Sequence, residues 1–202
     1  MTRRPSVVLF DLGGVLVEVA GASQTIAWAG LDSHQALFGH LLGSAAFREF
    51  EMGRRSPESF ARAMCAELRL PVGPAAFLAD FAGWPNRVLP GAAELIAALP
   101  DDLVVACLSN NNAVHWPRLS GELGLGRWFV QQFLSHHLGL IKPDPTIYQH
   151  VIRALGVPPD AILFLDDNPA NVRAALAQGI DARRVLGVAD ARLALRSAGL
   201  LG

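Results

Sequence analysis

Charge is sparse in this chain and neither sign prevails. Charged residues make up 17% of the sequence, and 17 Lys and Arg stand against 18 Asp and Glu, a formal net charge of -1. No global field therefore exists to hold nucleic acid or an anionic membrane surface, and any phosphate site must be local. Cysteine is nearly missing. Cys65 and Cys107 lie far apart, each inside an apolar segment, which excludes a disulfide scaffold and reads as two buried thiols of a reducing, cytoplasmic compartment. Long hydrophobic runs are missing too: the first, after Arg3 and Arg4, is cut by Asp11 and two glycines, too short for a signal peptide or a membrane span. No internal repeat or low-complexity segment occurs, although alanine is abundant. What remains is apolar, 51% of 202 residues, enough for one substantial core and a small accessory domain.

The chain is organised around Val7-Val8-Leu9-Phe10-Asp11-Leu12-Gly13-Gly14-Val15-Leu16. Four apolar residues running into an aspartate read as a buried parallel strand whose end presents a carboxylate. The following glycines let backbone approach a ligand closely. An ordinary strand ending in an Asx turn fits the same residues, so the rest of the chain must decide.

From Val17 to about Trp84 the signals are helical. Leu37, Phe38, Leu41 and Leu42 share one helical face, and Phe47, Phe50 and Met52 extend the pattern to Gly53. Ser56-Pro57-Glu58 opens a second helix with a serine cap and proline at its first position, burying Phe60, Ala61, Met64, Cys65 and Leu68. Gly73-Pro74 opens a third, carrying Phe77, Leu78 and Phe81. With no clear strand, residues 17–84 are expected to form an inserted helical cap. Residues 1–16 and 85–202 then form the core. There, Pro90–Leu99 reads as a helix, Leu103–Leu108 as a buried strand ending in Ser109-Asn110-Asn111-Asn112, and the polar run as the start of a helix reaching about Leu123. Trp128–Leu134 reads as a strand, Lys142-Pro143-Asp144-Pro145 as the opening of a helix closed by Gly156, and Ala161–Leu165 as a strand ending in Asp166-Asp167-Asn168-Pro169. A helix over Ala170–Gln178 and a last strand over Arg183–Leu186 follow. Such alternation predicts an α/β fold: a Rossmann-like parallel sheet with helices on both faces.

Polar residues recur where the strands end, which is where ligands bind in open α/β sheets. The candidates are Asp11, Ser109 with Asn110, and Asp166 with Asp167; Lys142 sits in a loop ahead of a helix. Converging carboxylates repel one another and call for a divalent cation, and hard oxygen ligands favour Mg2+. That set suits phosphoryl transfer to Asp11, with Lys142 offsetting the charge and water hydrolysing the aspartyl-phosphate.

These segments resemble the four motifs of the haloacid dehalogenase superfamily, in its phosphatase branch with a small helical cap. The motifs are Phe10-Asp11-Leu12-Gly13-Gly14-Val15-Leu16, Leu108-Ser109-Asn110, Lys142-Pro143 and Phe164-Leu165-Asp166-Asp167-Asn168, in order and with suitable spacing over nearly the whole chain. Lys142–Tyr148 is similar to bacterial sugar-phosphate phosphatases of the alpha-D-glucose-1-phosphatase type. The resemblance implies Asp11 as nucleophile, Ser109 and Asn110 on the phosphoryl group, and Lys142 holding both nucleophile and phosphate. It also implies magnesium on Asp11, the Gly13 carbonyl and Asp167, with Asp166 beside it, and a small phosphorylated substrate; the balanced charge speaks against a nucleic-acid or membrane partner. Monomer and homodimer stay open.

One position departs from the pattern. Most phosphatases of the superfamily carry a second aspartate, the general acid and base, where this chain has Gly13. Such help is worth about a hundred- to ten-thousand-fold in rate, so a preference for good leaving groups, such as an anomeric sugar phosphate, is expected. His115, His136, His137 and Glu51 are possible replacements that the sequence does not place; for the histidines a structural role outweighs a catalytic one. Glu51 and Arg54 at a helix end are as readily solvated charges. Trp28, Trp84, Trp116 and Trp128 read as core fillers, Asn171 as support for the metal site or an exposed helical residue, and Asn111 with Asn112 as a helix start. Two other functions stay open: a haloacid dehalogenase, which also lacks the second acid but has no use for the Asp166-Asp167 pair, and a catalytically retired binding protein.

Overall fold

A computed structural model describes residues 4–202. The strand β1 (Val7–Phe10) is the middle of a five-stranded parallel sheet. It is flanked by β4 (Val104–Ser109) and β6 (Ile162–Asp166), with β5 (Gln131–Leu134) and β7 (Asp181–Arg184) at the edges, giving the order β5-β4-β1-β6-β7. Val7 pairs with Val104 and Ile162, and Phe10 with Cys107 and Leu165. Successive side chains point to opposite faces of a strand, and here both faces are covered. Val8, Phe10, Leu163 and Leu165 pack with Ala92, Leu95, Ala191 and Leu195 of α6 (Ala92–Ala97) and α11 (Gly187–Ser197). Val7, Leu9, Ile162 and Phe164 pack with Ile147, Val151, Val172 and Ala175 of α9 (Pro145–Leu155) and α10 (Pro169–Leu176). This double cover is why the central strands read as unbroken apolar runs.

Between β1 and α6 the chain leaves the sheet through β2 (Val17–Val19) and returns through β3 (Pro85–Val88), an antiparallel ribbon with Val17 opposite Val88. Five helices lie between them: α1 (Ser23–Trp28), α2 (His34–Gly43), α3 (Ala45–Glu51), α4 (Pro57–Glu67) and α5 (Pro74–Ala82). Ser33, Ser44 and Ser56 cap α2, α3 and α4 by accepting from Ala36, Phe47 and Ser59 backbone N–H groups, which satisfies donors the helices leave free. Their shared core is aromatic. Phe50 stacks on Phe60 with centroids 4.2 Å apart, and Phe77, Phe81 and Trp84 complete the cluster.

The structure corrects several expectations. Residues 17–84 do contain a strand, Val17–Val19; at three residues it is too short to show a period, and its partner lies almost seventy residues on. The helix expected to reach Leu123 breaks into α7 (His115–Pro117) and a wider π turn, Arg118–Glu122, because Pro117 has no N–H to donate. The strand expected from Trp128 begins at Gln131, after a 3-10 turn at Leu125–Arg127, and the last strand starts two residues earlier than expected. One short helix, α8 (Ser135–Leu138), follows β5 directly. No helix of the described residues is long and apolar enough to cross a membrane.

Candidate active site

The parallel strands end on one side, and three of those ends carry the polar residues. The Asp11 backbone N–H donates to Leu165 O at 2.8 Å, prolonging the β1–β6 ladder by one step, and its own Oδ1 accepts from Leu12 N at 2.8 Å. Its carboxylate is thereby fixed at the strand's exit. Lys142, in the loop before α9, reaches across: its Nζ lies 2.9 Å from Asp11 Oδ1 and 2.7 Å from Asp166 Oδ2, and it donates to Leu108 O at 2.9 Å. All three donor positions of the ammonium are used, with its side chain 1% exposed. Lys142 is also the chain's single lysine.

Asp166 is saturated. Its Oδ1 accepts from Asn168 N at 2.8 Å, and the Asn171 amide reaches both oxygens at 3.0 Å; Asn171 is in turn held by Tyr148, whose hydroxyl donates to its carbonyl at 3.0 Å. Asp167 faces the β1 loop instead. Gly14, at φ +71°, is backed against it so closely that a Cβ would sit 2.6 Å from Asp167 Oδ2. Only glycine accepts both the backbone angle and the contact. Asp11, Asp166 and Asp167 bring ligand atoms within 4.8 Å of one another.

The electrostatics follow from burial. Desolvation drives the Asp11 carboxyl up from its ordinary range; Lys142 pulls it back, while Asp166 and Asp167 add to the rise. Burial raises Asp167 as well, with Asp166 adding. Desolvation works against the Lys142 ammonium, but Asp11 and Asp166 outweigh it and hold its pKa above the usual lysine value. Three carboxylates facing one ammonium leave an excess of negative charge. A hard divalent cation fits that donor set.

The Asn110 side chain is engaged with the lysine's loop. It closes a ring with the Lys142 backbone, accepting from Lys142 N at 2.9 Å and donating to Lys142 O at 3.0 Å. The amide thus fixes the lysine's loop. Ser109 Oγ lies 3.3 Å from Asn110 O. Asn112 Oδ1 accepts from Val114 and His115 N–H groups and starts the short α7.

Beside the carboxylates lies a cavity of about 150 Å³. Leu12, Gly13, Ser109 and Asn110 form its border with the cluster, and Phe38, Phe47, Phe81 and Trp84 supply an apolar wall. Glu51 and His115 also line it; His136 and His137 do not. His115 is spent structurally, with Nε2 2.7 Å from Phe81 O and Nδ1 3.2 Å from Asn112 Nδ2, and burial lowers its pKa to about 4. Arg54 donates to Gly139 O at 2.9 Å. The aromatic wall and Ser135, which ties the site to α3, had no signal in sequence, because each meets the site only through tertiary contacts.

Comparison with known proteins identifies the class. A family model described as haloacid dehalogenase-like hydrolase matches residues 5–179, and the chain belongs to that family of hydrolases. It is 29% identical over 177 residues to D-ribitol-5-phosphate phosphatase of Bacteroides thetaiotaomicron, covering 82% of this chain and 84% of that enzyme. With phosphoglycolate phosphatase of Pseudomonas savastanoi the identity is 26% over 202 residues, covering 88% and 68%. Among solved structures, a HAD family enzyme of Bacteroides thetaiotaomicron, crystallised with magnesium and inorganic phosphate, superposes with a TM-score of 0.74 at 23% identity, covering 89% of this chain and 93% of that one; this likeness speaks for the fold. L-2-haloacid dehalogenase of Xanthobacter autotrophicus superposes with a TM-score of 0.68 at 27% identity, covering 98% and 85%.

Proposed function

We propose that this hydrolase is a magnesium-dependent phosphomonoesterase acting through an aspartyl-phosphate at Asp11 on a small phosphorylated metabolite of the sugar-phosphate kind. The observation that carries the reading is the buried Lys142 bridging Asp11 and Asp166 beside a third carboxylate, Asp167. Asp11, Asp167 and the Gly13 carbonyl would hold the metal, which when bound neutralises phosphoryl charge. Asp166, its oxygens already taken by Lys142, Asn168 and Asn171, orients the lysine. Asp11 attacks phosphorus, Lys142 favours its ionised form and offsets the charge of the phosphoryl oxygens, and Ser109 at the cavity border binds the phosphoryl group together with the backbone of Asn110, whose side chain holds the lysine's loop. Water then releases phosphate. The two unpaired thiols, Cys65 and Cys107, accord with a cytoplasmic setting.

The test is hydrolysis of p-nitrophenyl phosphate with magnesium, with EDTA, and by Asp11→Asn. Activity lost in both controls is the expected result; a wild-type enzyme that is inactive, or active in EDTA, would overturn the reading. Likeness to a haloacid dehalogenase and the glycine at position 13 support dehalogenation as second reading. Metal-independent chloride release from a 2-haloacid would establish it, whereas Asp167 counts against it: attack on a carbon-halogen bond has no use for an additional buried negative charge.

A further inference from the structure

We infer that Glu51, carried by α3, is the general acid and base that position 13 does not supply, donating a proton to the leaving oxygen and then accepting one from the attacking water. This rests on the phosphatase reading above. If phosphorus is held at Asp11 and Lys142, the leaving group occupies the adjoining cavity, and an acid must stand in that cavity's wall. Gly13 lines the wall and brings no side chain to it. Glu51 and His115 are the titratable residues that do line it. His115 is eliminated by its bonds: one ring nitrogen donates to Phe81 O, the other accepts from Asn112, and burial keeps it neutral without a proton to give.

Among the described residues the Glu51 carboxyl has no hydrogen-bond or ion-pair partner, while its backbone is anchored from the sheet side. The Ser135 hydroxyl, on the first residue of α8, donates to Glu51 O at 2.6 Å and accepts from Asn111 N at 2.9 Å, joining the end of α3 to the loop that follows Ser109. Two residues on, Gly53 at φ +67° lets the chain pass so close to α8 that a Cβ would lie 2.2 Å from His136 O. Arg54 closes the same seam on Gly139 O. Two hydrogen bonds and one close backbone passage within four residues hold the Glu51 backbone against the core; this is the positional precision a proton donor requires. The environment supplies the rest. Desolvation raises the Glu51 pKa to about 8, with Asp11 adding to the rise and Lys142 and Arg48 opposing it, so the carboxyl carries its proton at neutral pH.

The chemistry balances. As Asp11 Oδ bonds to phosphorus and the bond from phosphorus to the leaving oxygen breaks, that oxygen takes the Glu51 proton and departs as an alcohol. Glu51, now a carboxylate, takes a proton from water as the water oxygen bonds to phosphorus and the aspartyl bond breaks. Asp11 and protonated Glu51 are restored and phosphate leaves. With an acid in place, poor alkoxide leaving groups come within reach, and the ground for a preference for anomeric phosphates disappears.

The experiment compares wild-type enzyme with Glu51→Gln on p-nitrophenyl phosphate, whose leaving group needs little protonation, and on alkyl phosphates: ribitol 5-phosphate, glycerol 3-phosphate and phosphoglycolate. The ratio of alkyl to aryl kcat/KM, which reports phosphorylation of Asp11 alone, is expected to fall about a hundred- to ten-thousand-fold in Glu51→Gln. The aryl reaction of that variant should show a burst of nitrophenolate, as acylphosphate hydrolysis loses its base. An unchanged ratio, or a wild type that hydrolyses the aryl ester and none of the alkyl phosphates, would overturn the assignment. Wild-type inactivity on every ester would overturn the phosphatase reading itself. Should Glu51→Gln fail to fold, the wild-type pH profile decides: alkyl-phosphate turnover falls above about pH 8 while aryl-phosphate turnover does not, and parallel profiles would refute the role.

Discussion

Replacing Lys142 with methionine removes the one cation from a buried cluster, and its consequence can be worked from the contacts. Methionine matches the stem but leaves Asp11 Oδ1, Asp166 Oδ2 and Leu108 O without the ammonium that sits 2.9, 2.7 and 2.9 Å from them. Breaking a buried ion pair by deleting one partner typically costs about 3 to 5 kcal/mol, a large share of a domain's total of roughly 5 to 15 kcal/mol. The loss depends on pH with a definite sign. In the wild type burial already raises Asp11 and Lys142 opposes it; without the lysine the carboxyl rises further. A carboxyl whose folded pKa lies above its unfolded value favours the folded state at low pH and loses that contribution as pH climbs through the folded pKa. The penalty of Lys142→Met should therefore be about 3 to 5 kcal/mol at pH 8 and clearly smaller at pH 5, where the carboxyl escapes by protonation. Urea unfolding in EDTA at both pH values measures it. A loss under about 1 kcal/mol at pH 8, or a larger loss at pH 5 than at pH 8, would refute the account of a buried cluster held by one ammonium.

Two further predictions concern residues on either side of that cluster. Gly14→Ala puts a methyl 2.6 Å from Asp167 Oδ2 at a positive φ, so the carboxylate must shift; magnesium affinity, read from the metal dependence of activity or of melting temperature, should weaken about tenfold or more, and wild-type affinity would refute the contact. Glu51→Gln should be more stable than wild type above about pH 8. The raised Glu51 pKa makes its charged form a burden that is absent below the ordinary carboxyl range and complete once pH passes the folded value. Discounted for its partial exposure, the gain is on the order of 1 to 3 kcal/mol at pH 9 and vanishes near pH 4; an equal shift in melting temperature at both pH values would sink this argument.

The strand ends were legible because their signal is local: Val7–Phe10 and Ile162–Leu165 are apolar throughout and stop at carboxylates, and a sheet buried on both faces permits little else. Lys142 announced itself only beside proline, yet the fold brings it to Asp11 and Asp166. What sequence could not express was direction. Asn110 sits at a strand end like Asp11, but its amide turns to the Lys142 backbone. Glu51 and Arg54 were equivalent as charges at the end of a helix; one lines the cavity and the other ties down a loop. The β2–β3 ribbon escaped for a related reason, since three residues carry no period and their pairing is settled by a partner far along the chain.

That the chain's single lysine is also among its most buried residues makes Lys142 a native reporter of its own surroundings. An amine-directed acylating reagent meets sixteen arginines, which it ignores, and finds the side-chain amine only when the loop before α9 lifts away from the sheet. The α-amine aside, label uptake would then count openings of the active centre at one position, without mutation or added probe. A ligand that bridges the cluster to the cavity wall would slow that uptake in proportion to how tightly it keeps the site shut.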